Sequence, residues 1–347
     1  MTEGFFEKEF RLEELERCGD PLTKLNELIP WEEFRPELER MRKSEEERKS
    51  PAGRKPFDVV LMFKIMILQS LYNLSDAAVE FQVKDRLSFM RFLNLSLADR
   101  VPDEKTVWAF RERLGSLGLE SKLFEQFDAY LRTHGFSAKK GQIVDASIIA
   151  APKQRNTQDE NKEIKEGFEP DGWNEAKRRQ KDIDARWTQK NGVNHFGYKN
   201  HVQIDVENKF IRDFAVTDAS VHDSQVFEEL LDEENSSADV FADSAYRSKK
   251  TEENLESKGF RPRLQRKGCK NKPLSEREVQ GNRTRARTRS RIEHVFGIQA
   301  MRAGDLVIRT IGLARAKVKI GLRNLAYNLD RYASFMKIQR IEAMLAA

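Results

Sequence analysis

The 347-residue sequence predicts an α/β protein in which an all-helical N-terminal segment precedes a domain with a mixed β-sheet. Up to about residue 135, apolar residues recur at three- and four-residue spacing, which is the periodicity of amphipathic helices. After Lys139, strand-like apolar runs alternate with helical segments, as in α/β domains. A chain of this length suits about two domains, and we expect them at 1–138 and 139–347.

The longest predicted helix of the N-terminal domain is FDVVLMFKIMILQSLYNL, beginning at Phe57. It is apolar all round, which is typical of a buried core helix, and Lys64 argues against a membrane span. Three shorter helices follow, with Ser75, Asp85 and Asp103 predicted near their starts as N-caps. This arrangement is compatible with a helix-turn-helix whose last helix enters a DNA major groove, and equally with an interaction bundle.

The second domain begins with the strand-like run GQIVDASIIA at 141–150, followed by a very polar insert at about 152–193. We expect this insert to be a loop, and a loop of that length without periodicity is usually functional or disordered. A β-hairpin is predicted around Glu207 and Asn208. Then come the helix SQVFEELLDEE, the strand DVFAD, the helix KKTEENLESKG, the strand FRPRLQ and an arginine-rich segment that continues as a basic helical region. This order of elements is that of an RNase H-like fold.

The charge of the chain is unevenly distributed. Of 62 Lys and Arg residues, 21 lie from residue 261 onward, against 6 of the 57 Asp and Glu, so this quarter carries +15 and the remainder −10. Such a basic segment is typical of polyanion binders. Cys18 and Cys269 are too few for a disulfide framework or a zinc module, and they suit a reducing cytoplasm. The charged residues 1–17 do not have the pattern of a signal peptide.

Three acids are the candidate catalytic and metal-binding residues. Asp145 lies inside an apolar strand, where an ionised carboxylate is costly unless it is paired or binds a metal. Asp243 ends a second strand, predicted to be the parallel neighbour of the first, and Glu293 would come from a helix packed on the sheet. Three carboxylates suit Mg²⁺, and two such ions can hold the entering and leaving oxygens of a phosphoryl transfer.

Each acid also has a plainer interpretation. Asp145 could cap a turn, Asp243 could cap the helix after Ser244, and Glu293 could simply pair with Arg289. The metal site is the favoured hypothesis because all three acids fall where one site requires them.

Arginine occupies every second position from Arg283 to Arg291. On a helix these residues form two stripes, and Glu293 continues the second stripe. The arginines are predicted to hold a DNA backbone without reading bases. The alternative is a solvated basic tail, but the apolar Ile292 and Val295 favour a segment anchored to a core. The two stripes are Arg283, Arg287 and Arg291, and Arg285 and Arg289.

Other candidates carry less weight. A zinc site is not expected, because the histidines lack paired cysteines. Four further acids lie on or just past the hairpin, which usually serves as a sheet edge; these are Asp205, Asp213, Asp218 and Asp223. Trp173 and Trp187 either stack on an unpaired base or pin the insert in place.

Three segments carry a family resemblance. IVDASIIAAPKQ resembles the first-aspartate strand, ADSAYRS the second-aspartate strand and RSRIEHVFG the glutamate helix of the DDE transposases of bacterial insertion sequences, within them the insertion sequence five family. HFGYKNHVQID, VTDASVHDSQ and GLARAKVKIGLRNLAYNLDRY resemble further segments of the same family, so the likeness spans nearly the whole chain.

The resemblance implies a metal triad of Asp145, Asp243 and Glu293 holding two Mg²⁺ ions, with Mn²⁺ as a substitute. It implies double-stranded DNA as the partner, both element ends and target, and a homodimer in the synaptic complex. No membrane or small-molecule substrate is expected, and the protein would be associated with the nucleoid. Besides the arginines at 283–291, Lys199 and Arg302 are expected to contact DNA.

The sequence departs from the family at two positions. Related transposases often carry a tyrosine seven residues before the glutamate, an arginine four before and a lysine seven after. Here these positions are Ala286, Arg289 and Ala300, so only the arginine is present. Arg302 or Lys317 is a candidate to compensate.

The resulting hypothesis is a transposase that binds terminal inverted repeats, cleaves at the element ends and joins the freed 3′ hydroxyls to target DNA. Two alternatives stay open: a non-catalytic DNA-binding regulator derived from a transposase, and a nuclease that only hydrolyses.

Overall fold

The computed structural model describes residues 7–42, 55–269, 273–304 and 307–346. The predicted helical character of residues 1–6 and 43–54 lies outside these ranges. The chain divides into two compact units, one of Met1–Phe127 with Gly321–Ala347 and one of Asp128–Ile320. The predicted boundary at residue 138 had assigned the C-terminal segment to the second domain, whereas the structure groups it with the helical unit.

The first unit is all-helical. Four of its helices begin at a residue whose side chain accepts a hydrogen bond from the first turn: Asp20, Asp58, Ser75 and Asp103. The predicted caps Ser75 and Asp103 are therefore confirmed. Asp85 is not a cap, because it is the last residue of α5, and α6 begins after Arg86 without a side-chain cap. The helices are α1 (Glu7–Arg17), α2 (Pro21–Leu28), α3 (Arg35–Glu39), α4 (Val59–Tyr72), α5 (Asp76–Asp85), α6 (Leu87–Phe92), α7 (Glu104–Ser116) and α8 (Leu119–Thr133).

Helix α4 is buried in the core of this unit, as its all-round apolarity predicts. The ring of Phe63 packs 6.0 Å from Trp31, centroid to centroid. The C-terminal segment joins the unit through apolar side chains, since Leu325 and Leu329 are fully buried and Tyr332 packs 6.0 Å from Phe127.

Across the described residues, no single helix has the length and apolar composition of a membrane span, and α4 with α5 meets that test only as a pair bent by 103°.

The second unit is built on a six-stranded mixed sheet. Its strands are β1 (Gln142–Ala150), β2 (Arg186–Lys190), β3 (Val193–Asp205), β4 (Ile211–Asp218), β5 (Asp239–Phe241) and β6 (Arg261–Pro262). Strands β1, β3 and β4 form an antiparallel meander, and β5 and β6 continue the sheet parallel to β1. This order and these directions are those of an RNase H-like fold, as predicted.

Two predictions for this unit are wrong. The polar insert is not a loop, because it contains helices α9 (Gln158–Lys165) and α10 (Glu175–Arg178) and strand β2. The run SQVFEELLDEE is not an α-helix, because it forms only short 3-10 turns at Asp223–Gln225 and Glu228–Leu230.

Helix α12 (Glu276–Ala303) carries the arginine-rich segment and packs on β1 and β5. Its Ile292 and Val295 are fully buried, so the segment is anchored and is not a solvated tail. The shorter α11 (Lys249–Ser257) buries Leu255 in a core shared with Val144 and Val240. The last helix, α13 (Leu313–Ala346), begins in this unit.

Gly197 marks the point where β3 leaves β4 and pairs with β2. Its φ is +150°, and a Cβ there would lie 2.1 Å from the carbonyl oxygen of Ile149 on β1. Only glycine fits this close approach of two strands.

Candidate active site

Two of the three predicted acids lie in, or just after, neighbouring parallel strands. Strand β1 contains Asp145, and β1 pairs in parallel with β5 so that Ile143 lies opposite Phe241. The same register, continued two residues further, places Asp145 level with Asp243 just beyond the end of β5. The predicted parallel pairing of the two strands is confirmed, and it brings these two carboxylates to one edge of the sheet.

Asp243 also has a local structural role. Its side chain accepts a hydrogen bond from the backbone N–H of Ser244 and caps the 3-10 turn Ser244–Tyr246. The plainer interpretation of this residue as a cap is therefore correct. A cap uses one carboxylate oxygen and leaves the other available, so it does not exclude a second role.

Helix α12 connects the first acid to the third. Arg289 Nη1 donates to Asp145 Oδ2 at 2.8 Å, and Arg289 Nη2 lies 3.5 Å from Glu293 Oε1. The Glu293 side chain is 63% exposed, whereas Asp145 and Arg289 are 18% and 21% exposed. Arg289 thus bridges the largely buried carboxylate of Asp145 and the exposed carboxylate of Glu293. Glu293 lies four residues after Arg289, on the same face of the helix.

Burial raises the pKa of Asp145 above its usual range. The hydrogen bond from the Ala146 N–H and the positive charges of Arg289 and Lys190 act in the opposite direction, while the nearby charge of Asp243 raises the pKa further. Two carboxylates that repel each other at a half-buried site favour a cation between them.

A second set of polar side chains lies beside Asp145 and Asp243. Lys199 Nζ donates to the carbonyl of Val221 at 2.7 Å and lies 2.9 Å from Asp223 Oδ1. The hydroxyl of Tyr246 is buried, and its pKa is raised first by burial and then by the charges of Asp145, Asp223 and Asp243. Three carboxylates therefore act on one hydroxyl group.

His201 belongs to the same group. It is fully buried, and its Nε2 lies 2.9 Å from Thr217 Oγ1. Burial lowers its pKa to about 4, although Asp223 acts in the opposite direction. The imidazole is consequently neutral near pH 7.

Asp223 is the site residue that the sequence interpretation undervalued. It was grouped with the acids of the hairpin, but the 3-10 turn at Asp223–Gln225 contacts the turn at Ser244–Tyr246. The only sequence signal was its position shortly after a strand end. Of the other hairpin acids, Asp205 is a fully buried structural residue paired with Arg212 at 2.9 Å.

Two known protein families match parts of this chain. The family described as Transposase DDE domain matches residues 137–329, more than half of the chain, and the family described as Transposase domain (DUF772) matches residues 10–113. The chain belongs to the DDE transposase family. A solved structure titled "Cryo-EM structure of piggyBac transposase synaptic complex with hairpin DNA (SNHP)" is similar over 90% of this chain and 72% of that chain, at 11% identity and a TM-score of 0.43.

DDE transposases generally use divalent metal ions. In this transposase, Asp145 and Asp243 fit such an ion as a pair, because they are oxygen ligands whose mutual repulsion a cation relieves. Glu293 does not join them, since the guanidinium of Arg289 lies between it and Asp145. Accordingly, no three His, Cys, Asp or Glu side chains of the described ranges are grouped around one ion position.

The predicted DNA-binding residues of the transposase fall into two groups. Lys199, Arg289 and Arg291 have internal partners, the last donating to the Val206 carbonyl at 2.6 Å. Arg283, Arg287 and Arg302 are exposed, and Arg285 is half-buried beside Asn282. Members of the same stripe therefore differ in exposure, although their spacing places them on one face of the helix.

The tryptophans of the insert also differ from each other. Trp173 is buried, and its Nε1 donates to Glu160 at 2.7 Å, so it pins the insert and does not stack on a base. Trp187, on β2, is 47% exposed and packs on Phe196.

Proposed function

We propose that this transposase binds the terminal inverted repeats of an insertion sequence, cleaves DNA at the element ends and joins the freed 3′ hydroxyls to target DNA. The observation that carries the proposal is the shared register of Asp145 and Asp243 on adjacent parallel strands, beside a helix rich in arginine. The family membership supports DNA cleavage and transfer as the type of reaction.

Each residue has a proposed role. Asp145 and Asp243 hold the divalent ions, and Glu293 completes the site once the side chain of Arg289 moves from between it and Asp145. When bound, Mg²⁺ or Mn²⁺ would activate the attacking oxygen and stabilise the leaving one.

Arg283 and Arg287 contact the backbone of the transferred strand in this proposal, and their exposure supports that role. Two element ends must be held together for joining, and we propose that a homodimer does this.

The proposal is tested with purified protein and duplexes that carry the inverted repeats found beside the gene. With Mg²⁺ or Mn²⁺, we expect nicked ends and joined products on a sequencing gel. Asp145→Asn is expected to abolish both while binding the same duplex with unchanged affinity, because the substitution removes a metal ligand and leaves the DNA-binding surface intact.

Asp171→Asn provides the matched control, since it makes the same substitution at an exposed position of the insert. It should retain full activity. Unchanged joining by Asp145→Asn would refute the assignment of the site, and nicking without joined products by the wild-type protein would favour the purely hydrolytic nuclease. Failure to bind the ions in a calorimetric titration would favour the non-catalytic regulator.

A further inference from the structure

Four arginines from three different parts of the chain lie at the N-terminal half of α12. Arg285 lies on the helix, Arg247 follows the 3-10 turn after β5, and Arg263 and Arg266 follow β6. Each of the last three pairs with one carboxylate and stays partly open to solvent, with side-chain exposures of 34%, 46% and 41% in that order. We call these four residues the arginine cluster.

Arg285 is the exception within the cluster. Its Nη1 donates to the neutral side-chain oxygen of Asn282 at 3.2 Å, and within the described ranges it has no carboxylate at ion-pair distance. Asn282 is itself held in place by two hydrogen bonds with the backbone of Arg266, at 2.9 and 2.8 Å. The guanidinium of Arg285 is therefore positioned firmly but not neutralised.

The electrostatics of this position are unfavourable for a cation. Burial lowers the pKa of Arg285, and the charges of Arg266, Arg263 and Arg247 lower it further, while Glu252 acts in the opposite direction. Because each of the other three arginines is paired with a carboxylate, Arg285 is the uncompensated, half-buried cation of the cluster, which is destabilising unless an anion binds there. Structural ion pairs do not have this pattern, because they bring opposite charges together.

We infer that the arginine cluster is a second phosphate-binding site, separate from the acidic pair, which takes a backbone phosphate of the DNA strand processed by this transposase. Guanidinium groups bind phosphate oxygens through two parallel hydrogen bonds, so a cluster of them suits this ligand better than lysines would. The inference rests on the proposed function in one respect only, namely that the polyanion is DNA.

The position of the cluster agrees with this ligand. Arg285 lies one helical turn before Arg289, which contacts Asp145, so the two positions are about 6 Å apart along the helix axis. A DNA strand carries one phosphate per roughly 3.4 Å of helix axis, and the cluster is thus within one or two phosphates of the reacting position.

The test measures the salt dependence of duplex binding by the full-length protein in EDTA, so that no cleavage takes place. We expect Arg285→Gln to weaken binding about 10-fold and to reduce the slope of log affinity against log salt by about one. Arg277→Gln is the matched control, because it removes the same charge from an exposed position of the same helix and should change both quantities much less.

Two further measurements separate a binding role from a structural one. The melting temperature of Arg285→Gln should be equal to or higher than that of the wild type, since a repelled cation is removed. If this variant does not fold, Arg263→Gln, at a more exposed position of the cluster, takes its place and is expected to lower the slope in the same way.

The outcomes are distinguishable. Equal slopes for the Arg285 and Arg277 variants would overturn the inference and leave the proposed function untouched. Absence of duplex binding by the wild type would instead contradict the proposed function. Calorimetric binding of inorganic phosphate that Arg285→Gln abolishes, with unchanged DNA binding, would show that the site serves a free phosphate and would also overturn the inference.

Discussion

Two aspartates of the sheet, Asp205 and Asp145, each pair with an arginine, and the two pairs differ in what surrounds them. Asp205 and Arg212 have side chains 0% and 1% exposed, while Asp145 and Arg289 are 18% and 21% exposed. Burial raises the pKa of both aspartates. The same chemical pair is therefore enclosed at one place and accessible at the other, and only the accessible pair lies beside a further carboxylate on a parallel strand.

The enclosed pair is satisfied from several directions. Asp205 accepts hydrogen bonds from the backbone of Asn208 and Phe210, and Arg212 also donates to Asp128 at 2.7 Å. Such a network stabilises the hairpin and leaves no ligand position free. The comparison teaches that a buried aspartate in a strand is not by itself a sign of catalysis, because its partners decide its role.

The largest effect is expected at the enclosed pair. Asp205→Asn removes one of the two carboxylate charges that compensate fully buried Arg212, and the more deeply buried of them, which should lower the free energy of unfolding by about 3–5 kcal/mol. Urea denaturation followed by circular dichroism measures this. Asp213→Asn, an exposed position on the same hairpin, should stay within about 0.5 kcal/mol of the wild type. A stable Asp205→Asn protein would remove the distinction between the two pairs.

At the accessible pair, we expect substitution of the exposed neighbour Glu293 to change activity and not stability. Glu293→Gln should reduce strand joining by about 100-fold, by loss of a metal ligand, with no measurable change in unfolding, because the side chain is largely in solvent. Single-turnover joining assays give the rate. Glu276→Gln at the exposed start of the same helix should join at the wild-type rate, and equal rates for both variants would exclude Glu293 from the site.

Several features of the molecule follow from local sequence alone. Apolar periodicity predicts the strand at 142–150, the hairpin and the helical arginine segment directly. The parallel pairing of β1 with β5 follows from the order of the elements. The insert was read as a loop although Thr157 and Glu160 form a capping box, a local signal that its polarity obscured.

Side-chain directions could not be predicted in the same way. The sequence spacing puts Arg287 and Arg291 on one stripe, but Arg291 turns inward to the Val206 carbonyl and Arg287 stays exposed. Likewise the charges of Arg247 and Arg263 act on Arg285 only because the fold brings distant segments near one another. Such contacts depend on tertiary packing, which no local pattern encodes.

The two arginines sharpen the comparison at a smaller scale. Arg289→Gln is expected to cost at most about 1 kcal/mol of unfolding free energy, because its ion pairs reach solvent. Arg212→Gln should cost about 3–5 kcal/mol, because it leaves the fully buried Asp205 without its cation. Parallel urea titrations of both variants test this, and similar losses would mean that the Arg289 pair is as structural as the enclosed one.

The smallest expected effect is a pH dependence specific to the accessible pair. Because burial raises the pKa of Asp145, the folded protein binds the proton of this carboxyl more tightly than the unfolded chain does. Stability from this group is present at low pH and is lost as pH rises from about 4, the ordinary value of the carboxyl, through the raised pKa. Asn at position 145 does not titrate. In EDTA, the unfolding free energy of Asp145→Asn should therefore increase relative to that of the wild type as pH rises through that window. The contribution of Asp205 is the same in both proteins and cancels. If the difference in unfolding free energy is constant with pH, or changes in favour of the wild type, the pKa of Asp145 is not raised in the folded protein.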